Sequence, residues 1–249
     1  MKQVIFLDWS NYKPKLFCRD VDLNELCIDL SKGQELDYGL VDCRCIGPSF
    51  DEPCPHNSPD GPQCGDCAPL GVYPCIICDG TECLLPKRRL ECSKTPYTIY
   101  LASFGEVVKV GVSQRERLMQ RWLEQGAEFA CELKVVKDGL LARRLENMIG
   151  KLEGVSMTVH HRRKRSNGFR RDVLEERVEE IVRKFRWIPK KPQLYDLTQF
   201  YPQLPEKEPL LKDLKGVSGG VRGHLLLLDD GIVDLKKLVG WRLSSCRGT

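Results

Sequence analysis

The chain has 249 residues, 41% hydrophobic and 30% charged, the balance of a folded protein of one large or a few small domains with a charged surface. No stretch approaches the roughly 20 consecutive apolar residues of a membrane-spanning helix, which excludes a helical membrane protein. The formal net charge of +4 excludes a uniformly polycationic chain, so the placement of charge says more than its sum.

The N-terminus, MKQVIFLDWSNYKPK, has a short apolar run broken by Asp8 and no small-residue cleavage site. It reads as a strand rather than a secretory leader, and a cytoplasmic protein is expected. ELCIDLSKGQELDYGLVDC then has the look of hairpin pieces. The far end, GVSGGVRGHLLLLDDGIVDLKKLVGWRL, alternates short strands with Gly and Asp-Asp-Gly turns in the same way. Neither piece is large enough to bury a core alone, so the two ends are expected to pair into one small β-domain.

Thirteen cysteines are present, and nine lie between Cys43 and Cys92. Two CxxC pairs, Cys64 with Cys67 and Cys75 with Cys78, each have further cysteines close in sequence. A CxxC turn brings two thiolates onto one tetrahedral ion, and a neighbouring turn supplies the other two. The partition expected is one zinc on Cys45, Cys54, Cys64 and Cys67 and a second on Cys75, Cys78, Cys83 and Cys92, with Cys43 and His56 as reserve ligands. The segment has few large apolar residues, so metal would supply most of its stability. A disulfide framework and an iron–sulfur cluster are the rival readings. Closed four-cysteine sites are structural, because catalysis needs an open coordination position. Cys18, Cys27, Cys131 and Cys246 are scattered and read as small core residues.

TIYLAS (Thr98–Ser103) and VVKVGV (Val107–Val112) flank Phe104-Gly105-Glu106 and predict a hairpin, with Val108, Val110 and Val112 on one face. A helix over roughly 114–124 carries Arg117 and Arg121 one turn apart, and Gly126 is placed to cap it. Trp122 reads as a packing residue. A third strand begins at Glu132, and a helix follows with Leu141, Leu145, Met148, Ile149 and Leu152 on its apolar stripe. Glu146 flanks that stripe, where it reaches either a shared cleft or Arg143. Two basic clusters stand out, PKRRL from Pro86 and HHRRKRSNGFRR from His160, the second with six Arg or Lys and no acid. Such clusters suit polyanions. Asp172 and Glu175 give a capping-box-like start to a helix with Leu174, Val178, Ile181, Val182 and Phe185 on one face, stopped by Pro189 and Pro192.

These central elements resemble the GIY-YIG nuclease superfamily, whose core is a small three-stranded antiparallel sheet with helices. Thr98-Ile99-Tyr100 matches the first motif and Lys109-Val110-Gly111 the second. Arg117 matches the family arginine, Arg121 stands where a histidine is often found, and Glu146 matches the metal-binding glutamate. The resemblance implies Tyr100 orienting or deprotonating a water, Glu146 holding one Mg2+ or Mn2+, and Arg117 stabilising a pentavalent phosphate. Lys109 takes the place of the second-motif tyrosine and Thr98 that of the glycine, a departure that favours binding phosphate over cutting it.

A longer similarity runs through CIGPSFDEPCPHNSPDGPQCGDC, CIICDGTEC, IYLASFGEVVKVGVS, RWLEQGA and GVRGHLLLLDDGIVDL. In that order they are similar to a prokaryotic domain-of-unknown-function family, archaeal members most of all, which combines cysteine-rich zinc elements with a GIY-YIG-like core. The fold class expected is α+β. A β element over 1–42 is followed by a double-zinc module over 43–94 and a GIY-YIG-like domain with its following helix over 95–188. A Pro-rich linker over 189–208 then leads to a second β element over 209–249 that pairs with the first.

The function expected is that of a zinc-containing nucleic-acid-binding protein, RNA preferred over DNA, with structured RNA such as transfer or ribosomal RNA as the partner. Lys109, Arg115, Arg117, Arg121, Arg162, Arg163, Lys164, Arg165, Arg170 and Arg171 form the phosphate track. The alternatives are a metal-dependent nuclease using Tyr100, Lys109, Arg117 and Glu146, and a zinc-stabilised protein–protein adaptor.

Overall fold

The computed structural model of the protein describes residues 1–70, 75, 77–160, 168–208, 210–229 and 231–245. The chain divides into two compact units, Met1–Ile76 with Leu204–Thr249, and Ile77–Gln203. The cysteine-rich segment expected as one module over 43–94 is therefore split between them. No helix among the described residues is long and apolar enough to cross a membrane.

The first unit begins with β1 (Lys2–Asp8), β2 (Lys15–Arg19), β3 (Glu25–Asp29) and β4 (Glu35–Cys43). Alternation puts Leu16, Cys18 and Ile28 inside and Phe17 outside, while a register shift between Val4 and Phe6 buries Val4 and turns Phe6 out to stack on Phe17 with centroids 4.6 Å apart. Cys27 is exposed, contrary to its reading as a core residue, because it shares the outward face of β3 with Glu25 and Asp29.

The second unit contains helix α1 (Arg89–Lys94), the hairpin of β5 (Pro96–Phe104) and β6 (Val107–Gln114), helix α2 (Leu118–Gln125), β7 (Phe129–Lys137), helix α3 (Gly139–Gly150), β8 (Val155–Ser156), helix α4 (Arg171–Lys184) and β9 (Leu194–Asp196). A short 3-10 turn, Arg115–Arg117, precedes α2. The strand order is β8-β6-β5-β7-β9, with β6-β5-β7 antiparallel at its centre. The sheet thus has five strands where three were expected. The added β9 comes from the Pro-rich segment read as a linker, and its pairing with Phe129–Cys131 satisfies the edge of β7.

Both faces of this sheet are covered. Ile99, Leu101, Val108, Val110, Cys131 and Leu133 pack against Ile149 of α3 and Leu174, Val178 and Ile181 of α4. Tyr100, Ala102, Phe104 and Ala130 face Leu118 and Trp122 of α2 on the other side. Each fully buried large side chain contributes about 1.5–3 kcal/mol. Gly126 caps α2 in the left-handed conformation, φ 75°, as its position after the last helical turn predicts. Helix α4 lacks the expected capping box, since Asp172 is drawn back onto the Arg170 guanidinium at 2.7 Å.

The chain returns to the first unit with β10 (Leu214–Val217), β11 (Gly220–Arg222), β12 (Leu225–Leu228), β13 (Gly231–Asp234) and β14 (Trp241–Ser245). Strands β11, β12 and β13 form a small meander, and the indole of Trp9 donates to the Gly223 carbonyl at 3.1 Å. In the six-stranded sheet, ordered β10-β4-β14-β1-β2-β3, β14 lies between β1 and β4, so both ends of the chain meet in one sheet.

The Asp42 carboxylate joins β4 to β14 by pairing with Arg242, and Arg44 adds a second contact at 2.9 Å. Arg242 above all holds Asp42 below the usual carboxylate range. The folded pKa lies under the unfolded one, so this stabilisation is present above about pH 4 and is lost as pH falls through the depressed value. We expect Arg242→Met to lower the unfolding free energy by about 0.5–1 kcal/mol at neutral pH. Denaturant titrations repeated toward pH 2 should show that difference closing, whereas a gap independent of pH would assign Arg242 to packing alone.

Candidate functional site

Just beyond β4 the chain turns to bring Cys45, Cys54, Cys64 and Cys67 together. Their sulfur atoms all lie within 4.8 Å of one another, and three of the four residues are buried. The Cys54 and Cys64 sulfurs are 3.9 Å apart, far beyond a disulfide bond. Tetrahedral zinc with sulfur bonds of about 2.3 Å would place its ligands about 3.8 Å apart, so the spacing fits the ion. Gly47 makes the turn possible, with φ 86° and no room for a side chain: a Cβ there would lie 2.0 Å from the Glu52 carbonyl oxygen. The CGDC loop closes through Cys67 and Ala68 amides donating to the Cys64 carbonyl at 3.1 and 3.0 Å.

Backbone amides also point at the sulfurs. Cys45 Sγ accepts from Gly47 at 3.4 Å and from Cys64 at 3.2 Å. The Cys54 thiol is pulled down to about 6, chiefly by the Ser58 amide, while burial pushes Cys45 and Cys67 up. Four convergent thiols without an open position suit a structural divalent ion. The reserve ligands stand apart: Cys43 turns toward the Gly61 carbonyl and His56 lies 3.7 Å from the exposed Asp66.

The other cysteines do not form a comparable group among the described residues. Cys78 and Cys83 turn to the Glu82 and Leu85 carbonyls at 3.7 and 3.2 Å. Cys92 lies 3.8 Å from the Tyr97 hydroxyl and fills the space beside Gly139. Cys75 falls in the first unit by the division at Ile76.

The matched residues of the second unit lie around Tyr100. This side chain is 1% exposed, and its hydroxyl accepts from Gln125 Nε2 at 2.9 Å and from Arg121. Burial, opposed by the Arg121 charge, leaves the hydroxyl pKa raised, so Tyr100 is a neutral phenol at neutral pH. Gly111 stands directly across the hairpin, and a Cβ on it would lie 2.4 Å from the tyrosine ring. Lys109 pairs with Ala102 and so faces the same side as Tyr100. Arg117 and Arg121, both exposed, share the carboxylate of Glu124 at 3.0 and 3.2 Å. Arg115 is exposed nearby in sequence. Trp122 is a core residue, its ring 6.0 Å from Tyr100 and 5.0 Å from Tyr195.

Glu146 is 4% exposed, and one oxygen is taken by Arg143 at 2.7 Å. Among the described residues it joins no cluster of metal-ligating groups. Arg170 and Arg171, expected as phosphate contacts, are exposed and paired with the neighbouring Asp172 and with Glu175 at 2.8 Å. Arg162, Arg163, Lys164 and Arg165 lie outside the described residues.

Several residues here had no sequence signal beyond their polarity. Glu128 is fully buried and accepts from the Gly105 amide at 2.9 Å, which fixes the hairpin turn. Glu132 takes a hydrogen bond from Tyr195 at 2.9 Å. The glutamate after RWLEQGA could be singled out only by knowing that the hairpin turn folds back onto it.

Residues 61–243 match a family described as protein of unknown function DUF2797, a span reaching from the metal-binding loop to the last strand. The chain belongs to this family. Comparisons with curated proteins and with solved structures give no match. The DUF2797 span takes in Cys64 and Cys67 together with the whole Tyr100 face, while Cys45 and Cys54 precede it.

Two outcomes test this geometry. A strong chelator should lower the melting temperature by more than about 10 °C, and Cys64→Ser should melt near the chelated value and ignore the chelator. Gly111→Ala forces a methyl group into the Tyr100 ring and should cost about 1–3 kcal/mol in chemical denaturation. A neutral substitution there would show that the ring is free to move.

Proposed function

We propose that the protein is a zinc-containing nucleic-acid-binding protein that prefers structured RNA, such as transfer or ribosomal RNA, over DNA. The observation that carries this reading is the fork of Arg117 and Arg121 on Glu124, with Arg121 anchored on the buried Tyr100 hydroxyl. Such a fork offers guanidinium groups to phosphate oxygens in a fixed orientation. Lys109 and Arg115 extend it, and the basic run from His160 would lengthen the track. The acceptors Glu124 and Glu132 suit the 2′-hydroxyl donor that distinguishes RNA from DNA. The tetrathiolate centre is read as structural zinc. A second zinc on Cys75, Cys78, Cys83 and Cys92 rests on their spacing in the sequence alone.

The core is read as GIY-YIG-like on its motif order and its central antiparallel strands. This brings a second reading, a metal-dependent phosphodiesterase using Tyr100, Lys109, Arg117 and Glu146. The observation that favours it is the hairpin register, which sets Tyr100 across from Gly111 with Lys109 on the same face. A bound Mg2+ or Mn2+ would supply Lewis-acid stabilisation of phosphate charge at Glu146. Binding ranks above cutting because Tyr100 keeps its proton and Glu146 is already neutralised by Arg143.

Fluorescence anisotropy with a labelled RNA hairpin and a matched DNA duplex tests this over a range of salt. RNA should bind more tightly, and changing Arg115, Arg117 and Arg121 together to Gln should flatten the log–log salt dependence by about 3, about 1 per cation. RNA cleavage with Mg2+ or Mn2+ by wild type but not by Glu146→Gln would promote the second reading. Absence of salt-dependent binding to either nucleic acid would leave the protein–protein adaptor.

A further inference from the structure

Arg19 is a charged residue at a place the metal ligands do not explain. It lies on β2, 3% exposed, and makes no ion pair with a carboxylate among the described residues. Four of the five guanidinium N–H donors make hydrogen bonds: Nε and Nη2 reach Gln3 Oε1 at 3.2 and 2.9 Å. Nη2 also reaches the Ile46 carbonyl at 2.7 Å and Nη1 the Phe50 carbonyl at 2.9 Å. Gln3 then turns its amide to the carbonyls of Arg44, Cys45 and Gly240 at 2.9, 3.4 and 3.4 Å. Two side chains of the sheet thus hold the backbone on both sides of Cys45.

These four bonds engage most of the guanidinium but do not balance its charge. A buried cation with no counter-ion is strongly disfavoured. Arg19 lines one cavity with Cys45 and Cys54; burial lowers its pKa, and the charges that oppose this are those of Cys45 and Cys54. Four thiolates on a divalent ion carry a net charge of −2, which supplies the missing anion. The two buried charges then explain each other, where neutral thiols would leave Arg19 uncompensated.

We propose that Arg19 is the counter-ion of a dianionic tetrathiolate–metal centre, and that with Gln3 it positions Cys45 so that the metal and the six-stranded sheet form as one unit. This rests on the reading of Cys45, Cys54, Cys64 and Cys67 as a metal site. Arg19 is a positioning residue, acting through the ligand loop and through its charge.

The test uses the full-length protein, with zinc affinity measured by competition against a chelator of known strength. The cobalt-substituted form gives a second readout in its thiolate-to-metal charge-transfer absorption. Arg19→Met should weaken zinc binding about 10–100-fold, the usual effect of removing an outer-shell partner, and should move the cobalt band. Arg19→Lys, which keeps the charge, should lose less than about tenfold. Wild-type zinc affinity and an unmoved cobalt band in Arg19→Met would overturn the proposal, even if that variant melted earlier. If Arg19→Met does not fold, Arg19→Lys decides: a loss as large as about 100-fold would assign Arg19 to clamping carbonyls alone and overturn the counter-ion role. Wild type that takes up no zinc would sink the metal reading itself, an outcome distinct from a zinc-binding wild type indifferent to Arg19.

Discussion

Four thiols brought within 4.8 Å of one another are the constraint on which the first unit turns. Neutral thiols make weak hydrogen bonds, and the loop that carries them has little apolar surface to bury. Its order comes from the sulfurs, from Gly47 and from the sheet beneath. Arg44 donates to the Gly240 carbonyl at 2.9 Å, and Gly240 donates to Val4 at 2.8 Å, so the loop, β1 and the segment before β14 meet at one point. A metal ion held by the four sulfurs would fix the crossing where both ends of the chain enter the sheet.

The second unit rests on a different constraint, the absence of a side chain at Gly111. That gap admits the Tyr100 ring, and the buried hydroxyl in turn orients Gln125 and Arg121. Glu124 pairs with two arginines, which limits their net charge. In the proposed binding role a phosphate would displace Glu124 from both at small cost, because ion pairs near the surface are each worth about 1 kcal/mol or less.

Much of this was legible in the sequence because it depends on local pattern. The hairpin from Thr98 to Val112 follows from alternation around a glycine turn, and the stop after Gln125 follows from Gly126. The group of Cys45, Cys54, Cys64 and Cys67 follows from spacing, since metal chemistry tolerates few arrangements. The pairing of the chain's two ends was suggested by their shared lack of a core. What escaped depends on partners distant in sequence. Leu194–Asp196 becomes a strand only because β7 offers an edge. Arg19 has no distinguishing signal in the sequence, and its role is visible only once the Ile46 and Phe50 carbonyls accept from it. Cys27 misled in the opposite sense, since edge-strand exposure cannot be read from residue type.

The central claim is that a metal bound by sulfur alone organises the first unit. X-ray absorption at the zinc edge of the purified protein tests it most directly. The account predicts bound zinc with four sulfur neighbours at about 2.3 Å and no lighter atom in the first shell. A shell containing nitrogen or oxygen, or a folded protein with no bound zinc, would contradict it.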